Sequence, residues 1–185
     1  MDMHYTMAKD CANRRTETLK YLFLLFIAGS AVGWAYEEIF YWITEGMLRN
    51  RGVLYGPWLP IYGAGAVGMY ALKPFRKNPV LLYIMCAAVA GVVEYAVGLA
   101  CVRLWGMWLW DYRGLFCNLN GIICLRSVAA FGAMGLAFHY LLEPAAERMS
   151  ARMDDHTRTL LCRILLAVFL LDCVLSGLFR TPITY

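Results

Sequence analysis

NRGVLYGPWLPIYGAG, residues 50–65, lies between two strongly apolar stretches, and its reading decides the fold. It contains two prolines, four glycines, an arginine and three aromatic residues. A plain connector between membrane helices needs only a few polar residues. Pro57 and Pro60 donate no backbone hydrogen bond, and Gly52, Gly56 and Gly63 reach conformations closed to other residues, so the run is not one regular helix. Irregular backbone at membrane depth survives only where protein or a wet cavity satisfies it. The stretch is therefore expected to be a re-entrant or interfacial segment lining a cavity. In the plainer alternative, Tyr55, Trp58 and Tyr62 are part of an interfacial aromatic belt.

The rest of the chain agrees with a bilayer setting. Of 185 residues, 61% are hydrophobic and 16% charged, and the mean hydropathy is +0.54, outside the balance of a soluble domain. The net charge of +4 does not point to nucleic acid, because the basic residues cluster between apolar blocks and report topology instead. Crossing about 30 Å of hydrocarbon takes about 20 residues. Five apolar blocks follow: 21–43, 60–72, 80–101, 121–142 and 160–179. The second, at about 13 residues or roughly 20 Å of helix, is too short to cross unaided.

The expected fold is an all-α integral membrane bundle of five transmembrane helices, the second short or broken behind the Pro/Gly-rich segment. Residues 1–20 form a cytoplasmic tail, 21–143 a four-helix core, 144–159 a cytoplasmic connection, and 160–185 a fifth helix with a short outer tail. Residues 1–20 show no cleavable-signal pattern, so the first span reads as an uncleaved anchor. Lysine and arginine counts put the N-terminus in the cytoplasm and the C-terminus outside a bacterial inner membrane.

Charges inside the spans mark a candidate pocket. Gly29, Gly33 and Glu37 recur every fourth residue, which puts Glu37 on a close-packing stripe. Glu38 lies about 100° further around, toward the interface. In the third span Ala87, Ala90, Gly91, Glu94, Gly98 and Cys101 share a face, and in the fourth Arg126 shares one with Ala129, Ala130 and Ala133. Each charge costs about 2.5–3.5 kcal/mol near a helix centre, so pairing is expected, with Glu37 or Glu94 within reach of Arg126 or Arg51. Such a pair either serves a solute or only fixes helix register.

The third connection, RLWGMWLWDYRGLFCNLNG, has a belt of Trp105, Trp108, Trp110 and Tyr112, together with Asp111, Arg113, Asn118 and Asn120. Asn118 or Asn120 either caps the fourth span or joins an outward-opening pocket. The candidate solute or ion pocket is Glu37, Glu38, Arg51, Tyr55, Tyr62, Glu94, Asp111, Asn118, Asn120 and Arg126. Asp172, on one face with Ser176, is read as shallow in the fifth span. His139, four residues before Glu143, is read as a hydrogen-bonded structural residue.

No His or Cys spacing suits a metal, no cofactor is expected, and no GxxxxGK[ST], GxSxG or HExxH occurs. Catalytic residues are therefore unassigned. Seven cysteines include no CxxC; Cys101, Cys117 and Cys124 allow one disulfide whose pairing the sequence leaves open.

"GWAYEE", "NRGVLYGPWLPIYG", "EY" at 94–95, "WDY" and "NLNG", in that order, resemble the bacterial family named putative ABC-transporter type IV permease. The resemblance covers about residues 20–143. It carries over Gly33, Trp34 and a glutamate at 37 or 38; Asn50, Arg51, Gly52, Tyr55, Gly56, Pro57, Pro60, Tyr62 and Gly63; Glu94; Trp110, Asp111 and Tyr112; and Asn118, Asn120 and Gly121. It implies a partner ATPase subunit, for which the 144–159 connection is the expected dock, and a homo- or hetero-oligomer. Three functions follow as expectations: a permease component that passes a small solute or lipid, an integral membrane enzyme acting on an amphiphilic substrate, and a membrane scaffold.

Overall fold

The computed structural model describes residues 2–46 and 52–179, with side chains from residue 13 onward. Six α-helices follow in order: α1 (Asp2–Glu45), α2 (Pro60–Tyr70), α3 (Pro79–Trp105), α4 (Leu125–Ala137), α5 (Glu143–Arg152) and α6 (Asp155–Phe179). Among the described residues the only extended pairing is an isolated bridge, Leu119 to Ile123.

Among the described residues four helical stretches, rather than five, are long and apolar enough to cross a bilayer: Asn13–Glu45, Pro79–Trp105, Leu125–Arg152 and Asp155–Phe179. The chain is thus a multi-pass membrane protein in contact with lipid. The second block is the exception: α2 has 11 residues, about 16 Å of helix. The polar N-terminal tail is helical and continuous with the first span.

Local chemistry sets the helix ends. Pro60 and Pro79 stand in the first turn of α2 and α3, where a missing N–H costs nothing, and Asn78 Oδ1 accepts the Leu81 amide at 3.1 Å. The fourth span begins later than the apolar block suggests. Asn120 (φ 54°) and Gly121 (φ 70°) form a tight reversal, so neither Asn118 nor Asn120 caps it. Cys124 does, accepting the Ser127 amide on sulfur at 3.4 Å.

The fourth span continues past the apolar block. Pro144 has no N–H for the carbonyl of Tyr140, and the rod widens into a π turn, Phe138–Leu142, before α5 carries it through Arg152. Most of 144–159 is therefore helix, with the break at residues 153–154.

The core lies where α1, α2, α3 and the π turn meet, around Leu25, Ala66, Met69, Leu82, Cys86 and Phe138. Gly29 and Gly33 let α2 lie directly on α1: a methyl at Gly29 would come within 2.7 Å of Ala66 Cβ, and one at Gly33 would strike the Tyr62 ring. The α3 face carrying Ala87, Ala90, Gly91, Glu94 and Gly98 is buried, as its pattern predicts.

On α4 the buried face is not the expected one. Ala129, Ala130 and Ala133 are exposed together with Arg126, while Ser127, Gly132 and Gly135 are buried. Glycine admits closer approach than alanine: Gly132 lies under the Tyr83 ring and Gly135 against Cys86.

Candidate functional site

Residues Gly52–Leu59 form a hook between α1 and α2. Leu54 and Leu59 are buried while Val53 and Tyr55 are exposed. The Leu59 amide donates to the Ser30 carbonyl at 3.0 Å, which places the start of α2 fifteen residues, about 22 Å, below the end of α1. That depth comes from the two prolines and the glycines, which prevent the chain from continuing as helix.

Asp172 on α6 holds the hook. Its Oδ1 accepts the Tyr55 amide at 3.0 Å and its Oδ2 accepts the Gly56 amide at 2.9 Å and the Trp58 indole N–H at 2.8 Å. Ser176 donates to Oδ1 at 3.0 Å. A methyl at Gly56 would lie 2.8 Å from Asp172 Oδ2, so only glycine fits there. Asp172 is thus the anchor of the hook, a role its shallow reading missed. The signal for it was the Asp/Ser pair one turn apart inside an apolar span.

Behind the hook lies a cavity of about 1110 Å³, bounded by α1, α2, α3, α4, the π turn, the start of α5, α6 and the loop 106–124. Of the ten pocket residues read from sequence, Glu37, Tyr62 and Glu94 border it. Tyr62 donates its hydroxyl to Glu37 Oε1 at 3.0 Å. Glu94, 3% exposed, accepts the Tyr112 hydroxyl at 3.0 Å on one oxygen, and the Ser127 hydroxyl lies 3.0 Å from the other. Ser127 Oγ is also 2.9 Å from the Cys124 carbonyl and donates to one acceptor at a time.

Burial and the Glu94 carboxylate push the Tyr112 phenol above its ordinary range, which keeps it a proton donor. Tyr112 and Ser127 therefore complete the site. Neither stood among the ten, although Tyr112 is part of the WDY motif.

The other candidates lie elsewhere. Arg126 is exposed beside Leu115 and Phe116, so the expected ion pair with Glu94 is not made, and the carboxylate is satisfied by hydroxyls instead. Asp111 forms a surface pair with Arg113, 2.6 Å at the shortest, which holds its carboxyl below the usual range. Asn118 organises the loop, donating to the Leu115 carbonyl at 2.8 Å and accepting the Gly121 amide at 3.2 Å. Asn120 donates to the Tyr95 hydroxyl at 2.8 Å. Glu38 and Tyr55 do not border the cavity, and Arg51 lies outside the described residues. Cys101, Cys117 and Cys124 are all free thiols, so the disulfide considered among them is absent.

At the opposite end of the bundle is a second charged group. His139 and Glu143 are fully buried and 2.7 Å apart, as the four-residue spacing suggests. Lys73 Nζ approaches Glu143 at 3.2 Å and also pairs with Glu147. These carboxylates, Glu147 foremost, hold the Lys73 ammonium above the ordinary lysine range. Nearby, Lys20 lies 2.7 Å from both Glu17 and Asp155, tying α1 to α6.

Against known proteins, the sequence model of the family described as Putative ABC-transporter type IV matches residues 24–177, reaching into α6 and beyond the motifs that carry the resemblance. No curated protein and no solved structure matches the chain.

Proposed function

As the chain belongs to the family described as Putative ABC-transporter type IV, we propose that it is the permease component of a transporter, holding a small solute or lipid in the cavity behind the hook. The observation that carries this reading is the 1110 Å³ space bounded by six helices, with Glu37 and Glu94 on its wall and an irregular, side-chain-tethered segment at one end. Broken helices that place irregular backbone around a cavity are the means by which membrane transporters build a binding place. The hook and α2 act as the gate. Glu37 and Glu94, each hydrogen-bonded to a phenol, are the solute or proton ligands.

The chain lies in a bacterial inner membrane with its N-terminus in the cytoplasm. The helix α5, which presents Met149 at 65% exposure, docks a separate ATPase subunit. An enzyme acting on an amphiphile would need a guanidinium beside a carboxylate to hold an anionic group. Of the two candidates for that guanidinium, Arg126 is exposed and does not line the cavity, and Arg51 lies outside the described residues.

The test is to purify the full chain from its native membrane and identify what it retains by mass spectrometry. A retained solute or lipid that disappears in Val97→Trp, which fills the cavity, supports the reading, as does an ATPase that co-purifies and is lost with Met149→Asp. A chain that retains nothing and purifies alone overturns it.

A further inference from the structure

The cavity wall carries an imbalance that points to the class of solute. Its surface is predominantly aliphatic and aromatic, and its charged members among the described residues are two carboxylates, Glu37 and Glu94, with no lysine, arginine or histidine. Tyr41, Trp105 and Trp110 line the same space. We propose that the site takes an amphiphilic cation, a hydrocarbon body carrying one positive charge, and that Glu94 receives the charge. This assignment rests on the permease reading above and specifies its substrate.

Glu94 supports this choice best. It is 3% exposed, yet the partners of its two oxygens are the neutral hydroxyls of Tyr112 and Ser127, which stabilise an anion without neutralising it. A buried carboxylate with no basic partner attracts a positive charge strongly, because the low dielectric around it screens little. Aromatic rings add to this, since a cation over a ring face is drawn to its quadrupole.

An onium whose charge is shielded by carbon loses little hydration on entering such a site, whereas a small hydrated cation would lose much more. The volume, near the upper end for small-molecule pockets, and its extension along the bundle from the hook to Ala145 suit an elongated apolar body. An anionic or phosphate-bearing amphiphile would meet two acids and, among the described residues of the wall, no cation.

The test compares two ions of nearly identical shape and opposite charge. Binding of tetraphenylphosphonium and of tetraphenylborate to the full-length protein in lipid nanodiscs is measured by equilibrium dialysis, with empty nanodiscs as the blank. Saturable phosphonium binding at least tenfold tighter than borate binding is expected. Glu94→Gln, which keeps an oxygen to accept the Tyr112 hydroxyl and turns an N–H toward Ser127 Oγ, whose own proton can go to the Cys124 carbonyl, should weaken the phosphonium about tenfold and leave the borate unchanged.

Equal affinity for the two ions would overturn the charge assignment and leave the cavity standing as a solute site. An unchanged phosphonium affinity in Glu94→Gln would remove Glu94 from the role. Saturable binding of neither ion would overturn both this assignment and the permease reading beneath it. The comparison on the unmodified chain needs no variant, so a folding defect in Glu94→Gln leaves the result decisive.

Discussion

Asp172 and Trp58 are 114 residues apart in sequence, and the indole N–H of one reaches the carboxylate of the other at 2.8 Å. The same carboxylate takes two consecutive backbone amides of the hook, so one α6 side chain holds a turn that has no regular secondary structure of its own. In Asp172→Ala the Gly56 amide and the Trp58 indole lose their acceptor, at about 1–3 kcal/mol for each one left buried, while the Tyr55 amide keeps Ser176 Oγ at 3.0 Å. Hydrogen–deuterium exchange at the Gly56 amide should accelerate by tenfold or more, and at the Tyr55 amide by less. Unchanged protection would mean that the hook is held by something else.

The contact of Gly33 with the Tyr62 ring leaves no room for a side chain. Gly33→Val should push α2 off α1 and destabilise the protein by about 1–3 kcal/mol, the usual range for overpacking. The melting temperature in detergent should fall. A melting temperature equal to that of the unmodified chain would show that the two helices can separate freely.

Glu143 is a fully buried acid between His139 and Lys73. Removing one member of a buried ion pair leaves its partner uncompensated, typically at about 3–5 kcal/mol. Chemical denaturation of Glu143→Ala should register a loss of that order, while Glu147→Ala, at the exposed side of the same lysine, should register far less. Comparable losses would mean that the cluster is wetter than its burial indicates.

Asp154 precedes α6 and accepts the Thr157 amide at 2.9 Å and its hydroxyl at 2.6 Å, bonds that hold its carboxyl below the ordinary aspartate value. A depressed carboxyl stabilises the folded state above the unfolded pKa, about 3.9, and loses that contribution as pH falls through the lower folded value. Protection of the Thr157 amide should therefore decline below about pH 4 in the unmodified chain. In Asp154→Ala it should be weak at every pH. A pH-independent amide in the unmodified chain would show that the cap does not titrate.

Much of this was legible in the sequence because helical periodicity reports faces. The Gly29, Gly33, Glu37 stripe and the small-residue face around Glu94 both lie where their spacing puts them. The α4 face went the other way because an alanine stripe and a glycine stripe share that helix, and only the neighbouring Tyr83 and Cys86 decide between them. Arg126 followed the alanines outward. The hydroxyl partners of Glu94 were hidden for a related reason: Tyr112 comes from a loop whose path depends on the Asn120–Gly121 reversal, and sequence spacing carries no record of that path. The Asp172–Ser176 pair, one turn apart in an apolar span, marks the anchor locally, but which segment it holds, 114 residues away, is not a local property.

The wide turn at Phe138–Leu142 inserts one residue into an otherwise unbroken rod, so the two halves of the fourth span are out of phase by roughly a quarter of a revolution. That offset lets a single rod face Glu94 at one end and Lys73 at the other. Deleting one residue there would straighten the winding and swing Glu143 off Lys73, separating the two ends of the molecule without altering any side chain in either.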